Sequence, residues 1–426
     1  MNLLDMLRSP ARRVPEPGAA RPGIIDIPDP DRVIIALEYP GKILFRPVVK
    51  EGDTVAANQL IGRSGQGNCL HASIGGTVQE IRPVWSATSD HVPAVVIARS
   101  AVPPLSPERV LAQAGLELTR ATRVELMKAC GVVSPWTTPG PNDSEEDVAR
   151  YPEVRHLVIV GVNQEPTTVN YELLLQQEVE AVKIGLHRLR EFCPRVRPRL
   201  LVAAGMAAWA RKELGDSLDI VPLGADYRRR IRRLVIPELT GEKVAATEAF
   251  RAHGIASITV EQLLAMVDSQ AGLPFVRKTV SVAGAGLDGT VTVRVPVGTP
   301  VRWILEQLDL PEPRGGRLIM GGPMRGMAHY TLDAPVSKFE NGVYLLDREH
   351  LPSEVNLTCI NCGVCTRTCP VGLQVHLLGR CVEFGSLSDT PRYHPEACLE
   401  CGLCAFVCPA HRPLVQMIKM AKKYGG

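Results

Sequence analysis

Nothing in this sequence is built to lie across a membrane. A span needs roughly 18 to 20 consecutive apolar residues, and the most apolar runs, 156-HLVIVGV-162 and 199-RLLVAAGMAAWA-210, are far shorter. The first residues do not read as the apolar core of a secretory leader either, because Asp5 and Arg8 interrupt them and prolines follow. These absences predict a protein that is soluble by itself and intracellular, with Leu3, Leu4, Met6 and Leu7 able at most to form a short docking turn. An excess of one charge is also absent. Against 48 Lys and Arg stand 45 Asp and Glu, a net charge of +3 that gives no general nucleic-acid role. No nucleophile–base arrangement is recognisable, and twelve cysteines in 426 residues are too few for a disulfide scaffold.

What the chain does have is cysteine in a repeated pattern. The segments 359-CINCGVCTRTCP-370 and 398-CLECGLCAFVCP-409 both read C-x2-C-x2-C-x3-C-P. Three thiolates at this spacing wrap one iron–sulfur cubane, and the fourth, before proline, ligates the other cluster of a two-cluster protein. One [4Fe–4S] cluster is therefore expected on Cys359, Cys362, Cys365 and Cys408, and a second on Cys398, Cys401, Cys404 and Cys369. Pro370 and Pro409 would steer the chain out of each loop by fixing φ. Zinc ribbons also use C-x2-C pairs, but zinc has no need of the terminal Cys-Pro twice. Thiolate ligands imply a reducing compartment. Cys69, Cys130, Cys193 and Cys381 share no spacing and read as free buried thiols.

The rest of the chain divides by its breakers. Residues 1–31 form a proline- and arginine-rich leader without periodicity. Short β-runs then follow over 32–102, at 32-RVIIALE-38, 42-KILFRPVV-49, 59-QLIG-62, 69-CLHA-72 and 76-GTVQEIRPV-84, separated by turn residues. They read as a small β-sandwich of hammerhead or lipoyl type, whose hairpin tip has no lysine to carry a prosthetic group; an assembly surface is expected instead. Residues 115–270 alternate strand, loop, helix and strand, with one long helix over 171–192, and predict a Rossmann-like α/β domain with a parallel sheet. Residues 277–330 turn β-rich around a hairpin at LDG and outline a β-grasp module. From 350 to 426 the chain is mostly helical around the two cysteine loops. The fold class is thus multidomain α/β and α+β. The run 226-DYRRRIRRLV-235, with Arg228, Arg229, Arg230, Arg232 and Arg233, is either a solvated face or a docking patch for an acidic redox partner. His71, His376 and His411 have no second ligand at metal spacing. The G-x-G-x-x-G in 282-VAGAGLDG-289 lies in a hairpin, not between strand and helix, and is set aside.

The order of these parts, with "VVKEGDTVAANQLIG", "HASIGGTV", "GGRLIMGGPMRGM", "CINCGVCTRTCPVGL" and "CLECGLCAFVCP", resembles the RnfC family of the Rnf electron-transport complex over nearly the whole chain. A cobalamin reductase of propanediol metabolism shares the parts in another order. The resemblance implies a peripheral component on the cytoplasmic side of the cell membrane. It would pass electrons through two [4Fe–4S] clusters between a ferredoxin or cytochrome and the membrane-embedded subunits of an ion-translocating complex. In that family the α/β domain is related to the flavin- and NADH-binding subunit of respiratory complex I. The site there uses a glycine-rich loop of the kind GLGGAGFPT and an acidic stretch resembling NAAECEPY. Here the first aligns with 131-GVVSPWTTPGPNDSEE-146, keeping Gly131 and Gly140 but adding Pro135, Pro139 and Pro141, and Glu145 and Glu146. The second aligns with 160-VGVNQEPTTVN-170, keeping Glu165 and Pro166. Either FMN and NAD(H) have been lost from a retained fold, or a rearranged loop binds them; loss is the expectation.

Overall fold

A computed structural model describes residues 20–39, 43–85, 91–137, 152–313, 315–351 and 358–425. Most of the 1–31 leader, and the second half of the 131–146 segment with Pro139, Gly140, Pro141, Glu145 and Glu146, lie outside the described residues. The leader's last part is a strand, β1 (Ala20–Asp26).

The N-terminal sandwich comprises β2 (Arg32–Ala36), β3 (Glu38–Tyr39), β4 (Ile43–Pro47), β5 (Thr54–Val55), β6 (Leu60–Ser64), β7 (Cys69–His71), β8 (Gly76–Val84) and β9 (Val92–Arg99). They form two four-stranded sheets, in the orders β2-β9-β8-β5 and β3-β4-β6-β7. Their facing side chains, among them Val33, Ile35, Leu37, Ile61, Leu70, Val95 and Ile97, make one core. The apolar face of each sheet is buried by the other, the usual reason two half-polar sheets pair.

Two short helices follow, α1 (Pro107–Gln113) and α2 (Arg123–Ala129). The second starts at a reciprocal cap in which the Thr122 hydroxyl accepts from Glu125 N–H and the Glu125 carboxylate accepts from Thr122 N–H. The α/β unit then runs β10 (His156–Val160), α3 (Asn170–Gln177), α4 (Val179–Phe192), β11 (Arg199–Ala203), α5 (Ala207–Leu214), β12 (Asp219–Leu223), α6 (Arg232–Thr240), β13 (Ile255–Thr259) and α7 (Val260–Ser269). All its strand pairs are parallel, in the order β12-β11-β10-β13. Both faces of β10 and β11 are covered, so these two strands are apolar almost throughout. Leu157, Ile159, Leu200, Val202 and Ile258 enter one core, while Val158, Val160, Leu201 and Ile255 enter the other. The helix expected over 171–192 is broken at Glu178, whose φ of −108° and ψ of 32° separate α3 from α4.

The next sheet contains β14 (Arg277–Gly284), β15 (Thr290–Pro296), then after α8 (Val301–Gln307) β16 (Arg317–Met320), β17 (Met327–His329) and β18 (Gly342–Leu346). Its order is β1-β15-β14-β18-β16-β17. It takes in two strands outside 277–330: β1 lies parallel to β15 at one edge, and β18 sits between β14 and β16. Last come α9 (Val364–Thr368), α10 (Val375–Glu383), α11 (Leu403–Phe406) and α12 (Leu414–Tyr424), packed around Leu373, Leu378, Leu414 and Ile418 together with Cys365 and Cys404. Among the described residues, no helix is long and apolar enough to cross a membrane.

Candidate iron–sulfur site and the adjoining cleft

Two positive-φ residues shape each cysteine loop. Asn361 and Gly363 hold φ of 54° and 70° in the first loop, and Glu400 and Gly402 hold 53° and 82° in the second. Left-handed turns at these positions fold three cysteines toward a common interior, and glycine adopts them without Cβ strain. Gly402 has a further reason to be glycine, because a Cβ there would collide with the Met324 carbonyl.

The loops exchange their last cysteines. A pocket is lined by Cys359, Cys362 and Cys365 of the first loop and by Cys408 and Pro409 of the second, with Ile360 and His376 beside them. Electrostatic interaction links Cys365 to Cys408, and Cys369 to both Cys401 and Cys404. Cys369 therefore stands with the second loop and Cys408 with the first. Burial pushes the thiols of Cys365, Cys398, Cys401 and Cys404 above their ordinary range, opposed only in part by Lys422 at Cys398 and by Arg325 at Cys401. Among the described residues, no three His, Cys, Asp or Glu side chains converge as ligands of a single ion.

The second loop is docked on the rest of the protein. The Tyr227 hydroxyl donates to the Cys401 carbonyl at 2.8 Å, and Tyr227, Ile231, Cys401 and Leu403 form a small buried cluster. Beside it opens a polar cleft lined by Asn163, Glu165, Tyr171, Arg232, Arg325 and Asn341, with Glu400 and Lys419 on the far wall. The cleft sits where β10 and β13 end, at the reversal of strand order. That is where parallel sheets leave a crevice. Glu165 Oε2 accepts the Met324 N–H at 2.9 Å, but Glu165 Oε1, Glu172 Oε2 and Arg232 Nε are buried without a hydrogen-bond partner. Burial raises both carboxyls to about 7, opposed at Glu165 by the Met324 N–H and the Arg325 guanidinium.

The described part of the 131–146 segment is folded on itself. Gly131 and Val132 N–H groups donate back to Lys128 and Met127 carbonyls, and Thr137 N–H donates to the Ser134 carbonyl. Ser134 N–H donates to the Thr137 hydroxyl at 2.8 Å and Trp136 N–H to the Ser134 hydroxyl at 3.3 Å. Pro135 has no N–H. Trp136 packs on Phe192 with ring centroids 5.2 Å apart, and the Gly131 carbonyl accepts from Lys338 Nζ at 2.8 Å. None of residues 131–137 lines the cleft. A flavin phosphate needs several free, convergent N–H groups, and these residues do not supply them.

Of the five clustered arginines, Arg228 and Arg229 are exposed. Arg230 donates to the Gly224 carbonyl, Arg232 to the Ser257 hydroxyl at 2.7 Å, and Arg233 to the Glu248 carbonyl at 2.6 Å while lying over the Phe250 ring. The run is thus not one continuous solvated patch. Sequence reasoning named neither Tyr227 nor Met324, whose roles come from contacts across 174 and 159 residues. Cys69, Cys130 and Cys193 are buried, and Cys381 is partly so.

Residues 18–101 match the family described as the RnfC barrel sandwich hybrid domain, and residues 358–411 match the 4Fe–4S dicluster domain. The C component of the Na+-translocating ferredoxin:NAD+ oxidoreductase complex of Acetobacterium woodii is 25% identical, over 81% of this chain and 80% of that protein. The C component of an ion-translocating oxidoreductase complex of Pseudomonas aeruginosa is 30% identical over 77% of this chain, which spans 44% of that longer relative. The Rhodobacter capsulatus counterpart is 27% identical, over 88% of this chain and 74% of its own length. A chain of an NAD+-reducing [NiFe]-hydrogenase aligns over 74% of this chain with a TM-score of 0.42 and 14% identity.

Proposed function

Because the chain belongs to the RnfC family of ion-translocating oxidoreductase components, we propose that it relays electrons within such a complex through two [4Fe–4S] clusters. One is held by Cys359, Cys362, Cys365 and Cys408, the other by Cys398, Cys401, Cys404 and Cys369. The observation that carries this reading is the exchange of the fourth cysteine between the loops. Bound clusters supply one-electron chemistry. The chain's own part is to hold the two thiol sets close together, dry them by packing Cys365 and Cys404 into the helical core, and dock the second loop against Tyr227 and Met324.

In finer terms, the sandwich is of hammerhead type, the α/β unit is Rossmann-like and the mixed sheet is a β-grasp. The protein sits peripherally on the cytoplasmic side, where membrane-embedded subunits and a ferredoxin or cytochrome are its partners. Arg228 and Arg229 remain available to steer an acidic carrier. FMN and NAD(H) have no place in this scheme. The reading is supported by the 131–137 loop, where the N–H groups of Gly131, Val132, Ser134, Trp136 and Thr137 are spent internally.

A second reading, oxidation of NADH through a rearranged site, is favoured by one observation: the polar cleft with its unpartnered Glu165 and Arg232 atoms opens beside the second loop. Cofactor analysis separates the two. Anaerobically purified protein should contain about eight irons and about eight acid-labile sulfides, no FMN, and clusters that NADH does not bleach. Two zincs without labile sulfide would end the iron–sulfur reading; stoichiometric FMN or rapid bleaching by NADH would restore the second one.

A further inference from the structure

The two cysteine loops match in backbone but differ in charge. Where the first has the neutral Asn361, the second has Glu400, at nearly the same φ. Glu400 N–H donates to Cys398 Sγ at 3.4 Å. Its carboxylate is gripped by two ammonium groups of α12, Lys422 at 2.7 Å on Oε1 and Lys419 at 3.3 Å on Oε2. Lys422 also donates to the Cys398 carbonyl at 2.8 Å, so one cation bridges the ligand's own peptide and the neighbouring carboxylate. The side chains of Lys422 and Glu400 are 26% and 34% exposed. The nearest counterpart in the first loop is Arg367, an exposed residue that donates to the Cys362 carbonyl at 3.1 Å.

We infer that Lys422 sets the reduction potential of the second cluster, and that Glu400 is the opposing charge that positions it. This rests on the reading that these cysteines hold iron–sulfur clusters. Accepting an electron makes the site more negative by one charge. A cation fixed at the ligand's carbonyl favours that change, an anion at the same place disfavours it, and partial burial weakens screening of both. Charges held by hydrogen bonds at 2.7–2.8 Å cannot swing away as free surface lysines do. The first site has a separate pair, the buried Arg412 that lines its pocket and meets Glu383 at 2.8 Å, so Lys422 and Glu400 act chiefly on the second.

The test is a redox titration, followed by electron paramagnetic resonance, of the anaerobically purified full chain. The second cluster's signals are those lost in Cys404→Ala. Lys422→Gln should lower the second cluster's midpoint potential and Glu400→Gln should raise it. Lys422→Arg should stay near the parent value, and the first cluster should stay put in all three. Opposite signs are the signature of electrostatics, because a residue needed only to hold the loop together would shift both variants the same way. Shifts of like sign, no shift, or an equal shift of the first cluster would overturn the inference. A parent protein with no labile sulfide or cluster signal is a different failure, that of the iron–sulfur reading itself.

Discussion

The hydroxyl of Tyr227 donates to the carbonyl of Cys401 at 2.8 Å, tying the α/β unit to the second cysteine loop across 174 residues of sequence. Tyr227 is 4% exposed and Cys401 is 8% exposed, so water cannot readily replace the bond. Tyr227→Phe keeps the ring and leaves that carbonyl buried and unsatisfied, which costs about 1–3 kcal/mol. The expected outcome is a lower thermal midpoint with unchanged iron content; an unchanged midpoint would show that the carbonyl finds another donor.

Gly363 and Gly402 occupy equivalent turns and should respond differently to the same change. Alanine at either must adopt the left-handed region, at a cost of roughly 1–2 kcal/mol. At Gly402 the added Cβ also meets the backbone carbonyl of Met324, whereas at Gly363 it meets only the movable end of Arg367. Gly402→Ala should therefore lose second-cluster signal and weaken docking of the helical region, while Gly363→Ala is tolerated. Limited proteolysis and iron analysis of both proteins read the difference.

The exchanged cysteines give crosswise losses. Cys369→Ser should impair the cluster held mainly by the second loop, and Cys408→Ser the one held mainly by the first, with the spectroscopic signals of each monitored separately. If each substitution instead damages only the cluster of its own loop, the exchange is wrong.

Glu165 links stability to pH. Its carboxyl is raised from an ordinary 4.5 to about 7 by burial, with the Met324 N–H and Arg325 opposing and the buried Tyr227 nearby. The folded protein thus binds more protons there than the unfolded chain does between those values. The stability this lends is complete below pH 4.5 and lost as the pH climbs through 7, an effect on the order of 3 kcal/mol. Glu172, raised likewise, adds to the same slope. Glu165→Gln should keep an acceptor for Met324 N–H, flatten the decline between pH 4.5 and 7, and gain stability at pH 8. Denaturant unfolding across that range measures it, and an undiminished slope would mean the carboxyl stays ionised in the fold.

Local sequence carried a good deal of this architecture and missed its long-range joins. The cysteine spacing announced the loops because ligand geometry demands it, and the apolar strands β10 and β11 stood out because both their faces are covered. Strand β9 went unnamed although 93-PAVVIAR-99 is apolar, since the turn residues bounding it gave no hairpin signal. β1 and β18 are defined by parallel partners far away in the chain, and nothing in residues 20–26 or 342–346 alone reports such pairing. The cluster of arginines looked uniform because sequence shows charge but not reach: Arg232 and Arg233 turn inward to backbone and hydroxyl acceptors, and Arg228 and Arg229 do not. The polar cleft was half legible, through Glu165, but its other wall comes from the helical region.

The strand Ala20–Asp26 carries a practical warning for anyone trimming this protein. It lies along β15 and closes that border of the six-stranded sheet, with Ile24 resting on the α/β core and Ile27, just beyond it, buried in the sheet's own. A version begun at residue 32, where the sandwich starts, would strip one edge of β15 of its partner between Thr290 and Arg294. Bare strand borders recruit one another. Such a shortened protein should clump at concentrations where the intact one stays dispersed, and its poor behaviour would be a missing plug rather than a damaged metal site.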